Sequence, residues 1–168
     1  MKKTRYISLI IVVLATALLS QCKKETYTLG PPPSKIAGLN GDWKLYSVVQ
    51  VDELSLAKGE RNISEFYIDP DSTDVMQVNF NSDNFTFFIS LGSIGRNYLP
   101  ASGTWSFDNN DYPQYIYLED EAGIITTLKL QGPTRPVDTQ LKFSFQRSCI
   151  IDGEVKEYVG YRYEFNRE

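Results

Sequence analysis

From Leu39 onward, apolar and polar side chains alternate with a period of two. Trp43, Leu45, Val49 and Val51 alternate with Lys44, Tyr46 and Gln50. Met76, Val78 and Phe80 alternate with Gln77 and Asn79. Phe85, Phe87, Ile89 and Leu91 share one face against Thr86 and Ser90. Trp105 and Phe107 follow Gly103-Thr104. Ile116 and Leu118 alternate with Tyr115, Tyr117 and Glu119, and Ile124, Thr126, Leu128 and Leu130 come next. Leu141, Phe143 and Phe145 alternate with Lys142, Ser144 and Gln146. Val159, Tyr161, Tyr163 and Phe165 alternate with Gly160, Arg162 and Glu164. A strand turns successive side chains to opposite faces, so this pattern predicts eight strands, each with one apolar face.

The links between these strands are short and rich in turn residues. They include Asn81-Ser82-Asp83-Asn84, Asp108 to Asp111, Glu121-Ala122-Gly123 and the hairpin dipeptide Asp152-Gly153. Short links imply antiparallel neighbours in sequence order. Closing eight strands into an up-and-down barrel removes the exposed edges. A β-sandwich is the alternative, because period two does not distinguish the two. Asp52 to Asp74 is the one long connection, a length that calls for a role. A short helix is expected near Leu54 to Lys58 and an extra strand near Phe66 to Ile68.

The N-terminus follows another pattern. Lys2, Lys3 and Arg5 precede an apolar run from Ile7 to Leu19, too short to span a bilayer, where a helix needs about 20 residues. This reads as a cleavable signal peptide over residues 1–21. Leu19-Ser20-Gln21-Cys22 resembles the lipobox of bacterial lipoproteins, although Gln21 stands where Gly, Ala or Ser is usual. The resemblance implies cleavage before Cys22, acylation of its thiol (palmitate among the acids) and a lipid anchor. Lys23 rather than an aspartate follows the cysteine, which makes the outer membrane the expected address. The face of that membrane stays open. Residues 22–38, with Pro31-Pro32-Pro33, are expected to be an extended tether, and 39–168 the folded domain.

Charge and composition narrow the function. The chain carries a net charge of −4, so without the leader's three positive charges the remainder stands at −7. That argues against a nucleic-acid partner, which needs clustered Lys and Arg. There is no histidine, which removes the commonest general base and metal ligand. Cys149, in the apolar run Cys149-Ile150-Ile151, is expected to be a buried thiol. The carboxylates of Asp69-Pro70-Asp71-Ser72-Thr73-Asp74 and of Glu119-Asp120-Glu121 are expected in solvated turns, with neither metal nor catalytic role. No cofactor and no enzymatic activity are expected.

Gly41-Asp42-Trp43 opens the first strand, and Gly103-Thr104-Trp105-Ser106-Phe107 repeats the motif mid-chain. Over Leu39 to Arg167 the chain resembles the lipocalin-like domains of unknown function in lipoproteins of Bacteroidota. The resemblance implies an eight-stranded barrel in which Gly41 and Trp43 close one end and Trp43 packs with a late arginine, Arg162 or Arg167. It also implies an interior that either holds one small ligand or fills with side chains.

Two readings remain. In the first, a small hydrophobic or amphipathic ligand occupies a cavity lined by Phe80, Phe87, Trp105, Phe143 and Tyr161, and Asp52 to Asp74 gates the open end. In the second, the barrel is filled and the protein is a structural or interaction accessory of a cell-envelope complex. It would then present Tyr115, Tyr117 and Tyr158 outward.

Overall fold

The computed structural model describes residues 33–168. The expected leader and Cys22 lie outside them. A short helix, α1 (Lys35–Leu39), leads into β1 (Gly41–Asp52), β2 (Glu60–Asn62), β3 (Val75–Asn81), β4 (Thr86–Gly92) and β5 (Ser102–Phe107). There follow β6 (Tyr115–Glu119), β7 (Ile125–Leu130), β8 (Gln140–Ile151) and β9 (Glu154–Arg167). All neighbours are antiparallel. Sheet order runs β1-β3-β4-β5-β6-β7-β8-β9, and β9 returns to pair with β1 from Trp43↔Arg167 to Asp52↔Val159. The result is a closed, eight-stranded, up-and-down barrel, with β2 as an extra strand on β1.

Local chemistry sets the corners. Ile151 pairs with Glu154 across Asp152 (φ 56°) and Gly153 (φ 80°). Two successive positive φ values make the type I′ turn that suits the twist of a hairpin. At Gly103 (φ 154°), a Cβ would lie 1.9 Å from the Glu119 carbonyl oxygen, so only glycine lets β5 approach β6 there.

Three expectations need correction. The tether was expected to run to residue 38, but α1 packs on the barrel and the compact unit starts at Pro33. The reason is Gly38, which lies so close to Thr134 that a Cβ would meet its carbonyl oxygen at 2.4 Å. No helix forms over Leu54 to Lys58. The Asp52 carboxylate instead accepts the N–H groups of Leu54 and Ser55, the side-chain-to-backbone bonding that competes with a helix. The extra strand is Glu60–Asn62 rather than Phe66 to Ile68. A 3-10 turn (Ser64–Phe66) then drops Ile63 and Tyr67 into the core, so this segment plugs the barrel end that it was expected to gate.

At the Trp43 end the arginine that packs on the ring is Arg167. Its guanidinium carbon lies 4.1 Å from the Trp43 ring centroid. It donates to the carbonyls of Gly38 (2.6 Å), Asn40 (2.7 Å) and Asp138 (3.1 Å). Trp43 donates its indole N–H to Leu39 O at 2.8 Å. One cation thus ties α1, the β7–β8 connection and β9 together. Arg162 faces outward and pairs with Glu60.

Candidate functional site

The barrel interior is packed. Phe143, Phe145, Tyr161, Tyr163 and Phe165 form a ladder of near-parallel rings along β8 and β9, with centroids 5.3–6.1 Å apart. Phe80 meets Trp105 edge-on at 5.9 Å, and Trp105 gives its indole N–H to Asn81 O. Of the five residues expected to line a cavity, Phe80, Phe87, Trp105 and Phe143 are buried core and border none of the clefts described below. Tyr161 is buried too, but it does reach a cleft.

That cleft is about 600 Å³, within the range of ligand sites, and it lies outside the barrel. It exists because β7 and β8 part. Their ladder has two pairs, Lys129↔Ser144 and Leu130↔Phe143, after which β8 runs on to Ile151 alongside β9. Thr127, Lys129, Gln131 and Tyr115 form one wall. Ser144, Gln146, Ser148 and Arg162 form the outer surface of β8 and β9. Phe145 and Tyr161 lie where the parted strands open toward the core.

The other wall is the turn after β1. Glu53 lies flat on β9, which Gly160 permits, since a Cβ there would sit 2.6 Å from the Glu53 Oε1. Lys58 closes on it at 2.7 Å. The hydrogen bond from Lys58 holds the Glu53 carboxyl below the usual carboxylate range. Gln146 and the charges of Lys58 and Arg162 help, while partial burial opposes them. An ionised carboxylate paired with Lys58 is a poor proton donor at neutral pH.

A second constellation closes the plugged end. Tyr67, Tyr98, Tyr161 and Tyr163 converge there, with Tyr67 and Tyr163 edge-to-face at 5.9 Å and Tyr98 against Tyr161 at 4.9 Å. Arg147 lies over the Tyr98 ring at 5.0 Å. Among the described residues the buried Tyr163 hydroxyl has no hydrogen-bond partner. Burial pushes the Tyr161 phenol up to about 12 and raises Tyr67 and Tyr163 too, so all three stay neutral over the physiological range.

The remaining candidates fall apart in space. Tyr115 enters the cleft, Tyr117 is half-buried on β6, and Tyr158 packs partly against the core. Tyr115 and Tyr117, two residues apart, share one face of β6, while Tyr158 lies on β9. Cys149, expected to be buried, is exposed on the part of β8 that has left the barrel wall. The Asp69 carboxylate accepts the Asp71 N–H in a turn, and Asp120 does the same for Ala122 and Ile124. Among the described residues, no group of three or more carboxylate or thiol side chains is placed to hold a metal.

The Glu53–Gly160 contact, the tyrosine cluster and the parting of β7 from β8 were not foreseen. One signal existed for the last. A two-residue Asp152-Gly153 hairpin obliges β8 to run to Ile151, so β8 had to outgrow β7.

Fold and site together define a small antiparallel barrel with a packed interior and a polar cleft on its outer wall. The chain belongs to the family described as a domain of unknown function (DUF5004), whose model matches residues 20–147. No curated protein matches the chain, and no solved structure does.

Proposed function

We propose that this protein is a lipid-anchored accessory of the bacterial outer membrane. In this reading the barrel is a filled scaffold, and the work is non-enzymatic recognition at the cleft between β7 and β8. One observation carries the reading. The aromatic side chains that would have lined an interior site pack on one another, while a 600 Å³ cleft bordered by unpaired strand backbone opens on the outside. The address rests on the leader and on Cys22. Two or three acyl chains would hold the protein stably, where one binds only reversibly.

The reading is tested in cells. Wild-type protein should incorporate labelled palmitate and the Cys22→Ser variant should not. A photo-crosslinker at Thr127, in the cleft, should give a discrete adduct that the same group at Ser90, on the outer face of β4, does not. Equal adducts at both positions, or none at either, would sink the recognition reading. The alternative of a small hydrophobe inside the barrel draws support from Tyr161, where the cleft touches the core. Native mass spectrometry of the unlipidated chain showing a stoichiometric co-purifying lipid would favour it.

A further inference from the structure

We infer that the cleft is an acceptor for an extended polypeptide from a partner protein, which adds as one strand along the free edge of β8. This rests on the reading of the cleft as the recognition site, and it names the ligand class.

The backbone carries the argument. Leu130 donates its N–H to Gln114 on the β6 side, and Gln131 donates to Lys142 on the β8 side. Antiparallel ladders alternate, so even residues of β7 face β6 and odd residues face β8. β8 pairs with β9 along its whole length, and by the same alternation its odd residues direct their backbone hydrogen bonds to β9 while its even residues direct theirs toward β7 and the cleft. Beyond Lys129↔Ser144 the ladder between the two strands ends. Ile125 and Thr127 pair with β6, and Gln146, Ser148 and Ile150 pair with β9, but all five lie beyond the β7–β8 ladder, and the alternation aims their remaining backbone N–H and C=O groups into the gap. Natural sheets cover or blunt such edges, and this one carries no proline.

Size and charge select the occupant. One strand residue rises about 3.3 Å in a layer with strands about 4.8 Å apart and sheets about 10 Å apart, or roughly 160 Å³. A cleft of about 600 Å³ then holds about four residues of a single strand, matching the free stretch of β7. The two-stranded arm of a second copy needs about twice that. Among the charged lining residues, Glu53, Glu60 and Glu157 balance Lys58, Lys129 and Arg162. A cleft without net sign suits neither an anion nor a cation, and it does suit an uncharged backbone with its alternating donors and acceptors. Exposed Ile125 and Ile150 flank it and favour β-branched or aromatic side chains on the incoming strand.

The probe is a random decapeptide library displayed on phage, selected on the mature chain carrying Cys22→Ser. Selected peptides should slow amide exchange at Ile125, Thr127, Gln146, Ser148 and Ile150. Ser148→Pro removes a cleft-facing N–H while leaving the pairing with β9, and should weaken binding at least about tenfold. N-methylation along the peptide should abolish binding at alternate positions only, a readout that does not depend on how the proline variant folds. Failure to select any peptide, or binding insensitive to both changes, overturns the inference. So does a wild-type dimer in sedimentation velocity that Ser148→Pro dissolves, because the edge would then belong to a second copy. Binding of a neutral oligosaccharide that Gln146→Ala removes would leave the cleft reading standing and sink the strand. Absence of a Thr127-specific crosslink in cells would remove the cleft reading itself.

Discussion

Arg167 is the residue whose loss should be felt most for its size. Replacing it with alanine removes a cation lying 4.1 Å from the Trp43 centroid and leaves three carbonyls without their donor. A partly shielded cation–π contact contributes about 1 kcal/mol. The bonds to Gly38 O and Asp138 O are partly buried and contribute about 1 kcal/mol each, while the bond to Asn40 O is exposed and contributes little. Arg167→Ala should therefore cost about 3 kcal/mol, or about 10 °C in Tm for a domain of this size. Arg167→Lys keeps the charge but not the planar fork and should lose about two-thirds of that. Thermal unfolding followed by circular dichroism measures both, with Arg162→Ala as the control expected to move Tm by less than about 3 °C. A double-mutant cycle with Trp43→Phe isolates the ring contact and should return a coupling near 1 kcal/mol. If Arg167→Ala shifts Tm by under about 2 °C, or Arg162→Ala shifts it as far, the account of how the barrel end is closed is wrong.

The buried tyrosines predict a soft alkaline limb. Tyr67, Tyr161 and Tyr163 have folded-state pKa values raised above their ordinary value of 10.0. Above that value the unfolded chain releases protons that the folded chain keeps. Each tyrosine should then lower stability by at most about 1.4 kcal/mol per pH unit, and urea titrations should show the slope flatten in Tyr163→Phe. Gly103→Ala should prevent the β5–β6 pairing, because its Cβ would meet backbone at 1.9 Å, and soluble yield and amide exchange over Trp105 to Leu118 report it. Cys149 should react with a thiol reagent in the native Cys22→Ser protein within a few-fold of a free peptide thiol; protection of a hundredfold would show that something covers the β8–β9 arm.

What the sequence determined by itself is the set of strands and their order. Period-two alternation is a local property, since each side chain's face follows from its position along one strand, and short links favour pairing between successive strands. Eight antiparallel strands in sequence order were therefore legible, whereas closure into a barrel rather than a sandwich was decided by the pairing of β9 with β1. What only the tertiary structure decided is where backbone and side chains from distant strands meet. Packing determined that Phe80, Phe87, Trp105 and Phe143 are buried in the core, with Phe80 against Trp105 and Phe143 against Tyr163 and Phe165. Strand length determined that β8 leaves β7 after Ser144 and exposes Cys149. The choice of Arg167 over Arg162 turned on which face of β9 meets the helix that precedes Trp43. Glu53 over Gly160, far apart in sequence, has no local signature, because the cleft is a product of how the sheet curls and not of any motif along the chain.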